Sequence, residues 1–494
     1  MKAGRGMEKR LVLFLGGKVL LAFAACMAIP LFMTIYIDKN RLAEFGIPIL
    51  IALVWGLWLS RGKNPYRGRL TMREGTALIG VGFSAICLLG TLPYYLAGYS
   101  FIDSLFESVS GFTTTGASAL GYLFLVPEEL LLWRSLSQWL GGLGVVLIFL
   151  TLIPQVGQHA TRLFTGELHG ESAERIMPRI VETIHTIVGF YFTATAGIAA
   201  CLFLAGMPVF EAVNYAMCII STGGFTMSNS GIGGYHSPLI NTLVFIFMFM
   251  SGSNYLLCYK AYREGPKVLW RDSEYKSYVA MILIFGFLVS FNLWWNNVYY
   301  SWRNILHAFF QVAAFASTTG MAVDYYNAWP EFSKYCLLLL MFVGGCSGST
   351  AGGIKVSRIT ILLKDTWEEL KRTIHPKMIS SIKMSGVSVP TPMIDSISRF
   401  FFTYIVLFFV SSCLFALFTD FSLFASIGAA ASCLASVGAA FEQFADVGVY
   451  KSLSTSTKCV ALITMILGRL EIYSIFVLFF SGFWDQEAGK FKYK

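Results

Sequence analysis

The sequence predicts an all-α integral membrane protein: four pseudo-repeats of helix, half-helix, loop and helix around one axis, plus two extra N-terminal transmembrane helices. Three observations lead there. Hydrophobic residues make up 56% and charged residues 13% of the 494-residue chain, whereas soluble domains carry about a quarter charged residues. The apolar runs are long, and a segment of about 20 apolar residues spans a bilayer as a helix because it must satisfy its own backbone hydrogen bonds. Finally, Ser110-Gly111-Phe112-Thr113-Thr114-Thr115-Gly116-Ala117 returns as Ile220-Ser221-Thr222-Gly223-Gly224-Phe225, as Ala316-Ser317-Thr318-Thr319-Gly320-Met321 and, more loosely, as Leu434-Ala435-Ser436-Val437-Gly438-Ala439. A spacing of roughly a hundred residues marks a repeated unit.

Leu11 to Ile37 and Phe45 to Ser60 read as two helices outside the repeat. The first is too long for a cleaved signal and reads as a retained span. Gly75 to Gly98 is a full span, after which Phe101 to Gly111 is too short to cross, with Asp103 as its cap or first-turn acid. At 1.5 Å per residue those roughly ten residues reach only mid-membrane. The loop follows, then a span from Leu130 to Ile153. The second copy covers Thr183 to Tyr262, with its half-helix starting near Pro208 to Glu211. The third starts near Lys276, places its half-helix at Ser301 to Phe315 and resumes at Glu331. The fourth starts near Ser396, takes Asp420 as the cap of its half-helix and closes with a span from Ser454 to Phe483. The segments are therefore 1–73, 74–155, 156–262, 263–385 and 386–494.

Basic clusters at the N-terminus, Arg61 to Arg73, Arg162 to Arg179, Lys260 to Lys276, Lys355 to Lys383 and the tail (Lys490, Lys492, Lys494) mark the cytoplasmic side, including both termini. These account for the net charge of +9, so nucleic acid is not an expected partner. The Gly-ended loops then lie outside, flanked by Asp103, Glu107, Glu128, Glu129, Asp324, Glu331, Glu442 and Asp446. Such an acidic vestibule favours cations.

A dehydrated cation needs oxygen ligands, and an irregular loop supplies carbonyls only where it faces a pore. The terminal Gly permits backbone angles closed to other residues, and each half-helix turns a partly negative end inward. The candidate ion-binding residues are Thr113, Thr114, Thr115 and Gly116; Ser221, Thr222, Gly223 and Gly224; Ser317, Thr318, Thr319 and Gly320; and Ala435, Ser436, Val437 and Gly438. Thr114, Thr222, Thr318 and Ser436 can add hydroxyl oxygens there or hold the loop from behind. The fourth loop lacks a hydroxyl at its first and third positions, which puts fourfold chemical equivalence in question.

Further along, Gly344-Gly345-Cys346-Ser347-Gly348-Ser349-Thr350-Ala351-Gly352-Gly353 should interrupt its span, since each Gly costs about 1 kcal/mol against Ala in a helix. It lacks the Gly-Lys-Ser/Thr ending of a nucleotide-binding loop. Arg469 stands in an otherwise apolar span, where a charge costs about 2.5 to 3.5 kcal/mol. Its neighbour Glu471 is on another face. Arg469 is either an electrostatic barrier below the loops or half of an ion pair with another helix.

The stretches Phe106 to Gly116, Leu132-Trp133-Arg134-Ser135-Leu136-Ser137-Gln138-Trp139-Leu140-Gly141-Gly142-Leu143-Gly144, Ile220 to Phe225 and Gly344 to Lys355 together resemble the TrkH family. Its members are the membrane subunits of bacterial Trk-type potassium uptake systems, within the wider superfamily of potassium transporters that includes KtrB. The resemblance covers nearly the whole chain, and the extra N-terminal pair fits TrkH and not the bare KtrB pattern. It implies potassium selectivity at loops ending in Gly116, Gly224, Gly320 and Gly438, with Gly344 to Gly353 as an intramembrane gating loop faced by Arg469. It further implies a homodimer in the bacterial inner membrane, surrounded by lipid and docked to a cytosolic TrkA-type ring that holds the nucleotide. Potassium is then the one ion involved, with no organic cofactor in this chain.

Ten cysteines without metal-ligand spacing suggest neither disulfides nor zinc. His185, His236, His307 and His375 are isolated, and no catalytic constellation emerges, so an enzyme is not expected. The alternative to a gated pore is an ion-coupled secondary transporter, of potassium with proton or sodium or of another solute, with inverted repeats. Parallel repeats with all loops outside argue against it.

Overall fold

The apolar runs form helices, and side-chain caps start several of them. The computed structural model describes residues 7–62, 71–152, 173–298, 303–376, 378, 381–445, 448–470 and 472–484. Residues 63–70 and 162–172 of two predicted basic connections, the tail lysines, Asp446 and Glu471 lie outside the described residues. Helices α1 (Lys9–Ile37) and α2 (Leu42–Leu59) are followed by α3 (Met72–Leu96), α4 (Phe101–Phe112), α5 (Glu128–Leu152), α6 (Ala173–Leu204), α7 (Val209–Ile220), α8 (Pro238–Ser251) and α9 (Tyr255–Glu264). Then come α10 (Ser273–Trp295), α11 (Arg303–Ala316), α12 (Glu331–Val343), α13 (Val356–Ile374), α14 (Thr391–Phe418), α15 (Leu423–Ala435), α16 (Thr455–Arg469) and the short α17 (Ile472–Phe476) and α18 (Ser481–Trp484). Between α13 and α14 a hairpin pairs β1 (Lys383–Met384) with β2 (Val387–Ser388) in register Lys383↔Ser388. Its turn residues Ser385 and Gly386 both have positive φ, the backbone of a two-residue hairpin turn.

Among the described residues, six helices are long and apolar enough to cross a membrane. Four others, α4, α7, α11 and α15, have 12 to 14 residues, about 18 to 21 Å, shorter than the hydrocarbon thickness of about 30 Å. Ser100 starts α4: its Oγ accepts from the Asp103 N–H at 3.2 Å and donates to that carboxylate at 2.7 Å, so Asp103 is the first-turn acid. A capping box that the hydropathy pattern did not reveal opens α3, where Thr71 Oγ1 accepts from Glu74 N–H and the Glu74 carboxylate accepts from Thr71 N–H at 2.8 Å.

The structure corrects the expected elements in three places. Asp420 does not cap α15; that helix starts at Leu423, and Ser422 Oγ accepts from Ala425 N–H at 3.0 Å. The span expected to reach Tyr262 breaks at Gly252-Ser253-Asn254, where α8 and α9 meet at 104° and the Asn254 side chain caps α9 by accepting from Leu257 N–H at 3.1 Å. The last span does not run unbroken to Phe483, because α16 ends at Arg469.

Packing divides the chain into two units, one formed by Met1–Val109, Pro127–Trp133 and Leu470–Lys494, the other by Ser110–Val126 and Arg134–Arg469. In the first, a β-carbon at Gly17 would stand 2.8 Å from the Gly56 carbonyl, so small residues let α1 and α2 approach closely. Trp133 is buried there among Phe23 and Phe45, donating its Nε1–H to the Gly90 carbonyl at 3.2 Å. The second unit contains all four Gly-ended loops and the Gly344 to Gly353 segment.

Candidate functional site

Each half-helix ends in the same hydrogen-bonded cap. The N–H groups of Thr115, Gly223, Thr319 and Val437 reach back five residues to the carbonyls of Ser110, Cys218, Ala314 and Ser432, each at 2.9 Å. This is the long bond of a Schellman cap, in which a residue, usually Gly, takes a left-handed backbone. Here that residue is Thr114, Thr222, Thr318 or Ser436, with φ of 52°, 51°, 56° and 55°. A side chain in the left-handed region costs roughly 1–2 kcal/mol, and strain held four times by its surroundings is a mark of a functional site.

Two residues on, Gly116, Gly224, Gly320 and Gly438 also have positive φ, and here the reason extends beyond the chain's own turn. A β-carbon on Gly116 would fall on the Gly223 carbonyl oxygen, one on Gly224 on that of Thr319, one on Gly320 on that of Val437, and one on Gly438 on that of Thr115. The four loops therefore close on one another as a ring in chain order, each third-position carbonyl lying against the preceding loop's glycine.

Side chains break the ring's symmetry. Thr113 and Thr115 hydroxyls share a hydrogen bond of 2.8 Å, as do those of Ser317 and Thr319. Loops two and four have no such pair, since Gly223, Ala435 and Val437 carry no hydroxyl. The question of equivalence raised for the fourth loop thus extends to the second, and alternate loops are the ones that match. Of the four left-handed hydroxyls, Thr222 is bonded to Thr350 Oγ1 at 3.2 Å and Thr318 accepts from Gly352 N–H at 2.7 Å. Thr114 and Ser436 hydroxyls are buried without a partner among the described residues.

Residues 344–355 are the segment that makes those contacts. It is non-helical between α12 and α13, with positive φ at Gly344, Gly348, Gly353 and Lys355. Cys346 N–H donates to the Gly252 carbonyl at 2.8 Å and Tyr255 N–H to the Gly348 carbonyl at 3.2 Å, so the break in α8–α9 receives the break in α12–α13. Gly345 packs against Ala351, and the Ser349 hydroxyl donates to the Cys346 carbonyl at 2.6 Å. At the middle, Thr350 Oγ1 donates to the terminal carbonyl of α7, Ile220, at 2.9 Å and meets the Tyr255 hydroxyl at 2.8 Å. A β-carbon on Gly352 would strike the Ala435 carbonyl. The segment thus touches loops two, three and four at their left-handed ends.

Arg469, the last residue of α16, is 6% exposed, and its Nη1 donates to the Thr350 carbonyl at 2.8 Å. Nε and Nη2 have no hydrogen-bond partner, and no carboxylate pairs with it among the described residues. The ion-pair alternative therefore has no acid to name.

On the opposite, glycine side of the ring, a cavity of about 750 Å³ is lined by Gly116, Gly224, Gly320 and Gly438 together with Arg134, His307 and Asp324. The expected acidic vestibule needs correction. Among the described residues, Asp324 alone of the acids named for it lines the cavity, 3.3 Å from His307 Nδ1. Glu129 is paired with Arg41 at 3.2 Å, Glu331 with Lys334 at 2.6 Å, and Glu442 accepts from the Ser422 hydroxyl. Carboxylates near helix starts are taken up by caps and ion pairs before they can set a field.

Residues 42–486 match the family model TrkH, described as cation transport protein. The chain belongs to the TrkH family. Its relatives include the Trk system potassium uptake protein TrkH of Salmonella typhimurium, 34% identical over 97% of this chain and all of that one. The Trk system potassium uptake protein TrkG of Escherichia coli K12 is 30% identical over 96% and 98% of the two chains. The crystal structure of the potassium transporter TrkH from Vibrio parahaemolyticus superposes with a TM-score of 0.88 at 27% identity, covering 97% of this chain and 100% of that one. TrkH-family proteins are multi-pass membrane transporters of cations, not enzymes.

Sequence reasoning did not single out two residues of this TrkH-family site. Gln138 is fully buried and bridges loop two, donating to the Gly223 carbonyl at 2.7 Å and accepting from Phe225 N–H at 3.1 Å. Tyr255 donates to the Ile220 carbonyl at 2.5 Å. Gln138 lies in an apolar helix, where a buried polar residue was the available signal; Tyr255 opens a helix that carries Lys260, Arg263 and Glu264 and gave no such signal.

Proposed function

We propose that the chain conducts potassium ions into the cell through the ring of four loops, with residues 344–355 as a gate beneath it controlled by a cytosolic regulatory subunit. The observation that carries this reading is the closed ring, in which four backbone carbonyls are held by four left-handed caps. Such a ring replaces the water of a cation with fixed oxygens. The segments 74–155, 156–262, 263–385 and 386–494 each contribute one loop. The Trk potassium uptake names of the relatives support potassium as the ion. With the basic connections on the cytoplasmic side, both termini are cytoplasmic, the 750 Å³ cavity is the outer vestibule, and the membrane is the bacterial inner membrane. The chain works as a homodimer docked to a TrkA-type ring that carries the nucleotide.

Purified protein in liposomes is expected to carry potassium and rubidium well ahead of sodium. Flux that requires a proton or sodium gradient would instead identify a coupled transporter, and no flux from folded, segment-deleted protein would exclude the pore.

Gln138→Leu is expected to reduce potassium over sodium discrimination about fivefold. It leaves the Gly223 carbonyl and Phe225 N–H without their bridge, each unmet buried group costing about 1–3 kcal/mol. An unchanged flux ratio in folded protein would mean that loop two keeps its shape without Gln138.

A further inference from the structure

We infer that Glu274 is a positioning residue of the gate, whose carboxyl group ties the early part of segment 344–355 to the first turn of α13 and so keeps the segment in the closed place. This rests on reading that segment as the gate. Helix α13 begins with N–H groups that need partners, and its N-cap residue, Lys355, supplies no side-chain bond. The partner comes from another helix. Glu274 Oε1, in the first turn of α10, accepts from Ser357 N–H at 3.1 Å and from Ser347 N–H at 2.6 Å. Ser347 lies near the start of the segment and Ser357 just past its end, in the first turn of α13, and their hydroxyls share a hydrogen bond of 2.5 Å. One carboxyl oxygen accepting from two backbone N–H groups satisfies two buried donors at once.

Glu274 is itself fixed. Asp272 caps α10 by accepting from Tyr275 N–H at 2.8 Å, and its other carboxylate oxygen accepts from the Ser385 hydroxyl at 3.0 Å. Ser273 and Ser385 exchange two N–H to hydroxyl bonds, both at 2.9 Å. The turn of the exposed hairpin therefore anchors the start of α10, and Glu274 is the next residue in line. While its two bonds last, the early part of the segment cannot leave the first turn of α13. The middle then stays under loops two, three and four, where Thr350 and Gly352 lie. Opening requires those bonds to break or the hairpin-anchored turn to move.

The test is potassium flux through the full chain in liposomes. Glu274→Ala is expected to raise basal flux about tenfold, the loss of roughly one buried hydrogen bond, and Glu274→Gln less, because its amide oxygen still accepts. The potassium over sodium ratio should stay unchanged in both, since the ring is untouched. A deletion within 344–353 runs alongside. If the deletion raises flux and folded Glu274→Ala does not, the inference is overturned while the gate stands. If neither raises flux, the gate reading fails and takes the inference with it. Should Glu274→Ala not fold, Glu274→Leu, of similar size and with no acceptor, decides by labelling of Cys346, with the other cysteines replaced. Buried Cys346 is expected to react faster with a methanethiosulfonate reagent, and an unchanged rate would overturn the inference.

Discussion

Gly116→Ser is expected to lower potassium over sodium discrimination at least tenfold in folded protein, and Gly438→Ser to do so equally. Both glycines have positive φ, 87° and 79°, so a side chain is strained by about 1–2 kcal/mol before it meets any neighbour. The neighbour matters more. A β-carbon at Gly116 falls on the Gly223 carbonyl oxygen, and one at Gly438 on that of Thr115, with the Gly116 carbonyl carbon at 2.8 Å and Ala117 N at 3.0 Å. These are backbone atoms of the next loop, with no rotamer to escape into, so a ring carbonyl has to shift. The fourth loop lacks two hydroxyls, but the clash at both glycines is with backbone atoms, so the same effect is expected at both. Gly206 provides the control, because its φ is 99° but nothing lies within 4 Å of a β-carbon there. Gly206→Ser should leave the flux ratio unchanged. Unchanged ratios for Gly116→Ser would count against the ring as the ion site.

Shortening the Gly344 to Gly353 segment is expected to raise potassium flux without any regulatory partner by an order of magnitude or more, and Arg469→Ala to raise it by a smaller factor. The segment's middle is held by Thr350, whose carbonyl accepts from Arg469 and whose hydroxyl is bonded at the end of α7. Deleting it removes the contacts under three of the loops and the Arg469 acceptor together. Arg469→Ala removes the guanidinium charge and one hydrogen bond to the Thr350 carbonyl, and leaves the segment's other contacts in place. A guanidinium at depth repels a passing cation, and with only partial hydrogen bonding its charge is poorly compensated. Because no carboxylate is paired with it among the described residues, its removal strands no buried acid and the variant should fold. Basal flux at the parent level in both folded variants would defeat the gate and barrier together. A rise in the deletion alone would leave the gate and remove the barrier.

Helices, half-helices and loops were legible in the chain because their signals are local. A run of 20 apolar residues, a run of 12 that starts at a cap, and a Thr/Ser-Gly pair each declare themselves within one or two turns. The errors also had local causes. Asp420 and Ser422 are both good caps two residues apart, and only the helix start at Leu423 chooses between them. The short Gly252-Ser253-Asn254 break carries the same small, polar signature as Gly344 to Gly353, but it is three residues long and sits in an apolar run that hides it.

What no window of sequence contains is proximity across a hundred residues. That Gly438 abuts Thr115 and closes the ring, that Thr222 and Thr318 hydroxyls are engaged while, among the described residues, Thr114 and Ser436 are not, and that Glu274 caps a helix begun at Val356 are all matters of packing. So is the use of Thr at left-handed positions that a residue's own preferences disfavour. Hydropathy determines which segments enter the membrane, since each transfers independently. Which carbonyl meets which glycine depends on how those segments pack, and that leaves no periodic trace in any one of them.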